Sequence, residues 1–268
     1  MDPVVLSTAE KHFIAHGLAD NLRNDGRGCE DFRPFWIESP ALCTTNGSAR
    51  VKIDTTDILV GVKCEVVECE DTSLLPNRLQ FTVDPSCLAS ARTEARGGEY
   101  FTEAVAAVLE EAYHGSGDVI TNMNRLILSK QFMWKVYVDV VIQQYGGNII
   151  DAVFVAVKAA LLDTRITVLA LVPQDGGKFN IECDESTETN FFKLEAENAP
   201  LCRTTDDQIR LRLVKQMDPG GMDPRSIPAM IDMALRVGRN LHSAVNTRLE
   251  EIRNDDGSHV AGSSFLYE

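Results

Sequence analysis

The sequence predicts an α+β fold in which mixed sheets pack against helices. Three stretches carry that prediction: a strand, turn and apolar helix between Lys135 and Arg165, a β-hairpin between Gly47 and Val66, and a long amphipathic helix that begins at Asp223-Pro224. In the first, Val136, Val138, Val140 and Ile142 alternate with Tyr137, Asp139 and Gln143, the period-2 pattern of a strand with one face on a core. Gly146-Gly147 ends that strand. Asn148 is placed to cap the N-terminus of a helix over Ile149 to Leu162, with Asp151 as its reciprocal, dipole-matched partner. Charges within that helix are nearly confined to Asp151 and Lys158, and Ala152, Ala156, Ala159 and Ala160 keep it slim. It is therefore expected to be buried on most of its circumference. Ile166 to Val172 reads as the next strand.

Upstream elements follow from local chemistry. Ser7 with Glu10 three residues later is a capping-box signature, and Phe13, Ile14, Leu18 and Leu22 share one face of the helix it starts. That helix ends in the turn Arg23-Asn-Asp-Gly-Arg-Gly28, whose arginines are expected to pair with Asp25, Glu30 and Asp31. Phe35 to Glu38 reads as a short strand. Gly47–Ile53 and Asp57–Val66 flank the turn Asp54-Thr-Thr-Asp57 as a hairpin, and Gly61 within the second strand suggests a bulge or the close approach of another backbone. A polar loop from Glu65 to Asn77 leads to a strand over Arg78 to Val83. A loop from Asp84 to Glu99, carrying Arg92 and Arg96, then leads to a helix over Tyr100 to Tyr113.

Downstream, Asp175-Gly-Gly-Lys178 reads as a turn and Phe179 to Cys183 as a strand. The polar run Asp184 to Asn190 marks the expected domain boundary. Phe191 to Glu195 and Gln208 to Lys215 read as strands. Ile227, Met230, Ile231, Ala234, Leu235, Leu241, Val245, Leu249 and Ile252 form the stripe of the terminal helix, which tolerates Pro228 only within its first turn. That stripe is expected to be core or subunit interface. The division is then residues 1–183, 184–253 and a polar tail, 254–268.

Composition excludes several classes of function. The 268 residues carry 26 basic and 40 acidic side chains, a formal charge of −14, so the bulk surface repels nucleic acid, and RNA contact requires a local arginine cluster. Such a surface suits a subunit that meets basic partner proteins. No apolar run is long enough for a membrane span, and the start lacks the pattern of a secretory signal, which places the chain inside the cell. The seven cysteines, Cys29, Cys43, Cys64, Cys69, Cys87, Cys183 and Cys202, are scattered without a CxxC pair or paired histidines. They are expected to be reduced packing residues, with no metal site. Gly-Gly before a helix is a potential anion site. A tight turn is the preferred reading, because isoleucines occupy the first helical positions and Lys135 and Lys158 are the nearest cations in sequence.

The chain resembles the ribonuclease PH family. The resemblance rests on Leu6-Ser-x-x-Glu-Lys11, Arg23-Asn-Asp-Gly-Arg-Gly-Cys-Glu-Asp31, Gly47-Ser-Ala-Arg-Val-Lys52 and Thr56-Asp-Ile-Leu-Val-Gly-Val-Lys63. It continues through Tyr137-Val-Asp-Val140, Gly146-Gly-Asn148, Asp151-Ala152, Ala156-Val-Lys-Ala-Ala-Leu161, Thr164-Arg-Ile166, Asp223-Pro224, Ser226-Ile227 and Arg236-Val-Gly-Arg239. It implies the ribonuclease PH-like fold (ribosomal protein S5 domain 2-like), with 1–183 as core domain and 184–253 as a shortened C-terminal subdomain. It also implies membership of the six-subunit ring of an RNA exosome. The implied partners are other ribonuclease PH-like ring subunits, RNA-binding cap subunits and RNA in the ring channel, with no membrane and no cofactor. The implied locations are nucleus, nucleolus and cytoplasm.

Catalytic members of the family place a phosphate-holding Arg in the turn after the Gly pair and two Asp carboxylates on a later strand. Here Ile149 stands at the first position. From Asn198-Ala-Pro-Leu-Cys202 the chain passes almost at once to Arg203…Lys215 and the last helix, so the strand for the carboxylates is expected to be missing. Asp206 and Asp207 are the nearest acids and read as a surface turn. The expectation is a ring subunit with no catalytic residues that supports 3′-to-5′ RNA processing, with Arg92 and Arg96 as candidate RNA-backbone contacts. The alternative is an active phosphate-dependent 3′-to-5′ exoribonuclease. A small-molecule kinase of similar fold is disfavoured because the Gly pair lacks a longer phosphate loop.

Overall fold

The structure, a computed structural model, describes residues 6–69, 78–84, 97–114, 119–174, 178–182, 190–200, 204–205, 210–211 and 223–255. Its centre is a five-stranded sheet of β1 (Phe35–Glu38), β2 (Gly47–Ile53), β3 (Thr56–Glu68), β4 (Leu79–Asp84) and β5 (Phe132–Gln144) in the order β1-β2-β3-β5-β4. All neighbours are antiparallel except β4, which runs parallel to β5. The register puts one apolar row on one face: Val51 opposes Ile58, Val60 opposes both Ala49 and Val140, and Phe81 and Val62 both oppose Val138. Arg50, Lys52, Lys63, Asp139 and Thr82 alternate onto the other face, so the sheet is one-sided as its period-2 pattern requires.

Helix α3 (Ile149–Asp163) covers the apolar face. Every residue from Ala152 to Leu162 is buried, the near-complete enclosure its alanine-rich, charge-poor sequence implies. Lys158 lies wholly in the interior, where its ammonium donates to the Glu197 carbonyl at 2.7 Å, so the one basic residue of the helix ties it to the 194–200 segment. A buried amine of this kind is tolerated only where it is hydrogen-bonded. Helix α2 (Gly97–His114) packs beside β4 through Val105, Val108, Leu109 and Ala112, and Tyr113 lies between Phe81 and Phe154. It begins at Gly97, three residues before the expected start.

Helix α1 (Thr8–Ala19) carries the expected capping box. The Ser7 N–H donates to the Glu10 carboxylate at 2.7 Å, and the Glu10 N–H donates to the Ser7 hydroxyl at 3.3 Å. Its apolar stripe, however, meets no core: none of its residues is buried, and Phe13 is 72% exposed. The turn that follows is held in part as expected: of the three acids Asp25 pairs with an arginine of the turn, while Glu30 pairs with Arg236 and the Asp31 carboxylate accepts from the Gly28 N–H. Arg27 meets Asp25 at 2.6 Å and the Asp31 carbonyl at 2.7 Å, while Arg23 donates to the Cys29 carbonyl at 2.6 Å.

Elsewhere the expected strands shrink or split. The stretch read as one strand from Ile166 to Val172 is divided into β6 (Arg165–Thr167), paired with β9 (Phe191–Lys193), and β7 (Ala170–Gln174), paired with β8 (Lys178–Glu182). The Val168 N–H still pairs with the Asn190 carbonyl at 3.1 Å, in register with β6 and β9, and from Ala170 the chain takes β8 as its partner instead. The expected strand at Gln208 to Lys215 is represented among the described residues by β11 (Arg210–Leu211), paired with β10 (Thr204–Thr205). Gly61 sits in regular register, without a bulge. What approaches it is the Thr45 side chain, 3.3 Å from where a Cβ would stand; the irregularity of β3 lies between Asp57 and Ile58. The polar run at 184–190 lies almost wholly outside the described residues.

The chain closes with a short helical turn, Pro224–Ser226, capped by the Asp223 carboxylate accepting from the Arg225 N–H at 3.0 Å, and with α4 (Ile227–Asp255), where Pro228 falls in the first turn as required. Leu241, Val245 and Leu249 anchor its second half in the core. Among the described residues no helix is long and apolar enough to cross a membrane.

Candidate functional site

The place to look for phosphate chemistry is the junction of β5 and α3. The structure builds it as a turn clamped from three directions. Thr56, fully buried at the start of β3, accepts from the Gly146 N–H at 3.1 Å and donates its hydroxyl hydrogen to the Gly147 carbonyl at 2.6 Å. Arg33, just before β1, donates from Nη1 to the Gly146 carbonyl at 2.9 Å. Gly146 has no alternative residue, since a Cβ would stand 1.7 Å from the Thr55 hydroxyl.

The expected Asn148 cap does not form. Gly147 has φ +100° and Asn148 has φ 57° and ψ 42°, so the chain reverses through two successive left-handed residues and the Asn148 side chain makes no capping bond. Asn is among the few non-glycine residues that adopt this conformation readily, and conformation rather than capping accounts for it here. Asp151 does lie in the first turn, where its charge suits the helix dipole.

Ile149 opens the helix with its side chain in the core, 3% exposed, so this position presents neither charge nor hydrogen-bonding group to solvent. Sequence distance concealed the cation that, among the described residues, does arrive. Arg33 reaches the turn from 113 residues away, and no local pattern in Phe32-Arg33-Pro34 signals it. Thr56 was equally hidden, since the sequence placed it in the turn between the two hairpin strands and gave it no partner.

The other expected residues fall differently. Arg92, Arg96, Asp206 and Asp207 lie outside the described residues. Neither β10 nor β11 contains an acid. Cys29, Cys43, Cys64 and Cys69 are free thiols, and burial pushes the Cys64 thiol up to about 12, in keeping with a packing role. Among the described residues no group of three His, Cys, Asp or Glu side chains is placed to hold a metal ion.

A charge cluster lies elsewhere, on the outer face of the central sheet. Asp57 accepts from Arg50 Nε at 3.0 Å and Nη2 at 2.7 Å, with Lys52 at 3.4 Å. Burial alone would raise the Asp57 carboxyl. The Arg50 hydrogen bonds and charge, with Lys52, outweigh it and hold the group below the usual carboxylate value. This is a structural ion pair bracing the β2–β3 hairpin.

Comparison with known proteins places this architecture. Residues 31–167, half of the chain and the whole of the central sheet with α3, match the model of the 3′ exoribonuclease family, domain 1. The chain belongs to that family, the ribonuclease PH family. It is 28% identical to the Dictyostelium discoideum protein named “Putative exosome complex exonuclease RRP42”, over 93% of this chain and 99% of that one. That alignment runs over 322 positions against a chain of 268 residues, so at least 54 of them have no counterpart here. The chain is 29% identical to the exosome complex component Rrp42 of Methanosarcina mazei, over 60% of each, and 30% identical to that of Sulfurisphaera tokodaii, over 69% of this chain and 66% of that one. Its fold is similar to a chain of the Archaeoglobus fulgidus exosome with RNA bound to the active site, with a TM-score of 0.62 at 21% identity, over 87% of this chain and 96% of that one. An archaeal exosome core chain matches at a TM-score of 0.61 and 19% identity, over 88% and 96% of the two chains.

Proposed function

We propose that the chain is a non-catalytic ring subunit of an RNA exosome, which closes the ring beside other ribonuclease PH-like subunits, supports RNA-binding cap subunits and contributes wall to the RNA path. Similarity to Rrp42 exosome components over most of the chain supports the ring role. The observation that carries the non-catalytic part is Ile149. At the turn where catalytic relatives hold phosphate, its side chain is committed to the core, and an apolar group supplies neither charge nor bidentate hydrogen bonds. Arg92 and Arg96 remain proposed RNA-backbone contacts, in nucleus, nucleolus and cytoplasm. Replacing both by Glu is expected to weaken RNA protection in the assembled ring.

One observation favours the rival, an active phosphorolytic exonuclease: Arg33 brings a guanidinium to the Gly pair. Its Nη1 is engaged by the Gly146 carbonyl, which makes it a brace for the turn. The deciding experiment incubates the purified chain, alone and in its assembly, with single-stranded RNA, inorganic phosphate and magnesium. No nucleoside diphosphate is expected from this subunit, and Arg33→Lys is expected to lower stability without changing any RNA end-point.

A further inference from the structure

Three Asp-Gly pairs occur in the chain, at Asp25, Asp175 and Asp256, together with an Asn-Gly pair at Asn46. These dipeptides share a chemical liability. Glycine has no side chain to shield its backbone nitrogen, which can attack the carbonyl carbon of the preceding side chain and close a five-membered succinimide ring. Asn46 is protected by the fold itself: its side chain accepts from the Cys64 N–H at 2.9 Å and donates to the Arg165 carbonyl at 3.3 Å, and Gly47 is buried in β2. Asp25 and Gly26 have no such cover. Both are exposed in the turn after α1, Gly26 has φ +85°, and beyond its chain neighbours no atom stands within 4 Å of where its Cβ would be. Asp175 and Asp256 lie outside the described residues.

What holds Asp25 is the residue two positions on. Arg27 donates to Oδ2 from Nε at 2.9 Å and from Nη2 at 2.6 Å, and its backbone N–H donates to Oδ1 at 3.2 Å, so both carboxylate oxygens are drawn forward onto residue 27. The attacking nitrogen is held as well, since the Gly26 N–H donates to the Arg23 carbonyl at 3.0 Å. Arg27 is itself anchored, through Nη1 to the Asp31 carbonyl at 2.7 Å and through its own carbonyl, which accepts from the Arg23 N–H at 2.8 Å. Charge acts in the same direction. The Arg27 hydrogen bonds keep the Asp25 carboxyl below the usual carboxylate range, and the ring closes most readily on the protonated acid, whose hydroxyl can leave as water.

We propose that Asp25 is a latent isoaspartate site, and that the Arg27 side chain is the lock that keeps it from reacting. With the lock open, the Gly26 nitrogen bonds to Asp25 Cγ, its hydrogen and the carboxyl hydroxyl leave as one water, and the succinimide forms. Water then adds back. At the Cγ carbonyl it restores aspartate; at the original main-chain carbonyl it breaks that carbon's bond to nitrogen and leaves the backbone running through Cγ as isoaspartate. No oxidant, reductant or co-substrate other than water takes part. The product adds one methylene to the backbone of a turn whose Glu30 is tied to Arg236 of α4, so the modification would loosen the hold of that turn on the helix. The chemistry does not depend on the ring-subunit reading.

The test ages the full chain and its Arg27→Gln and Arg27→Lys variants at physiological pH and temperature. Isoaspartate is read separately at Asp25, Asp175 and Asp256 by electron-transfer fragmentation of the digested chain, so the two other Asp-Gly pairs serve as internal controls. Arg27→Gln is expected to raise isoaspartate at Asp25 about fivefold or more and to leave the other two sites within about twofold. Arg27→Lys, which keeps the charge without the guanidinium fork, should fall between. A comparison without any variant stands beside these: wild type unfolded in guanidinium chloride should modify Asp25 about tenfold faster than folded wild type, and at the same rate as unfolded Arg27→Gln. Equal accumulation at Asp25 in folded wild type and folded Arg27→Gln would overturn the proposal, as would equal rates in folded and unfolded wild type. A rise at all three sites together would show general loss of the fold and refute a local lock, and a difference between wild type and variant that persists in denaturant would reduce it to an effect of sequence.

Discussion

Replacing Thr56 by Val tests the reading of the Gly146-Gly147 turn as a structural clamp. Valine keeps the branched shape in a fully buried site and removes one hydroxyl, and with it two bonds: the one accepted from the Gly146 N–H at 3.1 Å and the one donated to the Gly147 carbonyl at 2.6 Å. Both backbone groups lose their partner. An orphaned buried polar group costs about 1–3 kcal/mol, and because the two glycines are themselves only half-buried, water recovers part of that, leaving about 2–3 kcal/mol for the pair. For a chain of this size that corresponds to a melting temperature lower by about 4–12 °C, and Thr56→Ser, which keeps the hydroxyl, should recover most of it. Chemical denaturation with both variants measures the difference directly. If inorganic phosphate at millimolar concentration stabilised the wild type, and Thr56→Val abolished that effect without the stability loss, the turn would be an anion site and the clamp argument would fail.

Other expectations follow from the same contacts. Asp57, held below its usual value by Arg50 and Lys52, contributes stability that is fully present above about pH 4 and is lost as the pH falls through its lowered folded-state value. Asp57→Asn should therefore flatten the acid limb of a stability–pH profile and cost about 1.5–3 kcal/mol at neutral pH; an unchanged acid limb would show that the pair is not coupled to folding. Phe154→Ala, in the centre of α3 with its ring near Tyr113, should cost about 3–5 kcal/mol by urea titration. The region from Phe191 to Asp255, whose described strands are only two or three residues long, should gain hydrogen-exchange protection on assembly into the ring, and equal protection in the isolated chain would contradict that.

What could be read before the structure divides along the range of the interactions involved. Strands β1, β2, β3 and β5 and helix α3 were legible because period-2 alternation and an alanine-rich apolar run are local signals. The α1 capping box was legible for the same reason. Long-range pairing was not. Nothing in the sequence announces that β4 runs parallel to β5, that Arg33 brackets Gly146 across 113 residues, or that Lys158 reaches the Glu197 carbonyl. Asn148 was misread because a capping residue and a left-handed one have the same side chain, and only its own backbone, at φ 57°, separates the two. The stripe of α4 was legible as apolar, but periodicity cannot tell which half of a helix finds a core.

At the candidate site, the hydrophobic residue after the Gly pair was legible from sequence order, and the structure adds where its side chain points. A cation absent from the local sequence could still have been supplied from elsewhere. Arg33 is that supply, and its engagement with a backbone carbonyl is what turns a potential ligand into a brace. The measurement that bears most directly on this is RNA shortening by the purified chain in phosphate and magnesium, read as released nucleoside diphosphate. The account predicts none above a buffer control, alone or in the ring, beyond what other subunits produce. Phosphate-dependent release that disappears when Arg33 or any other single residue of this chain is replaced would contradict it.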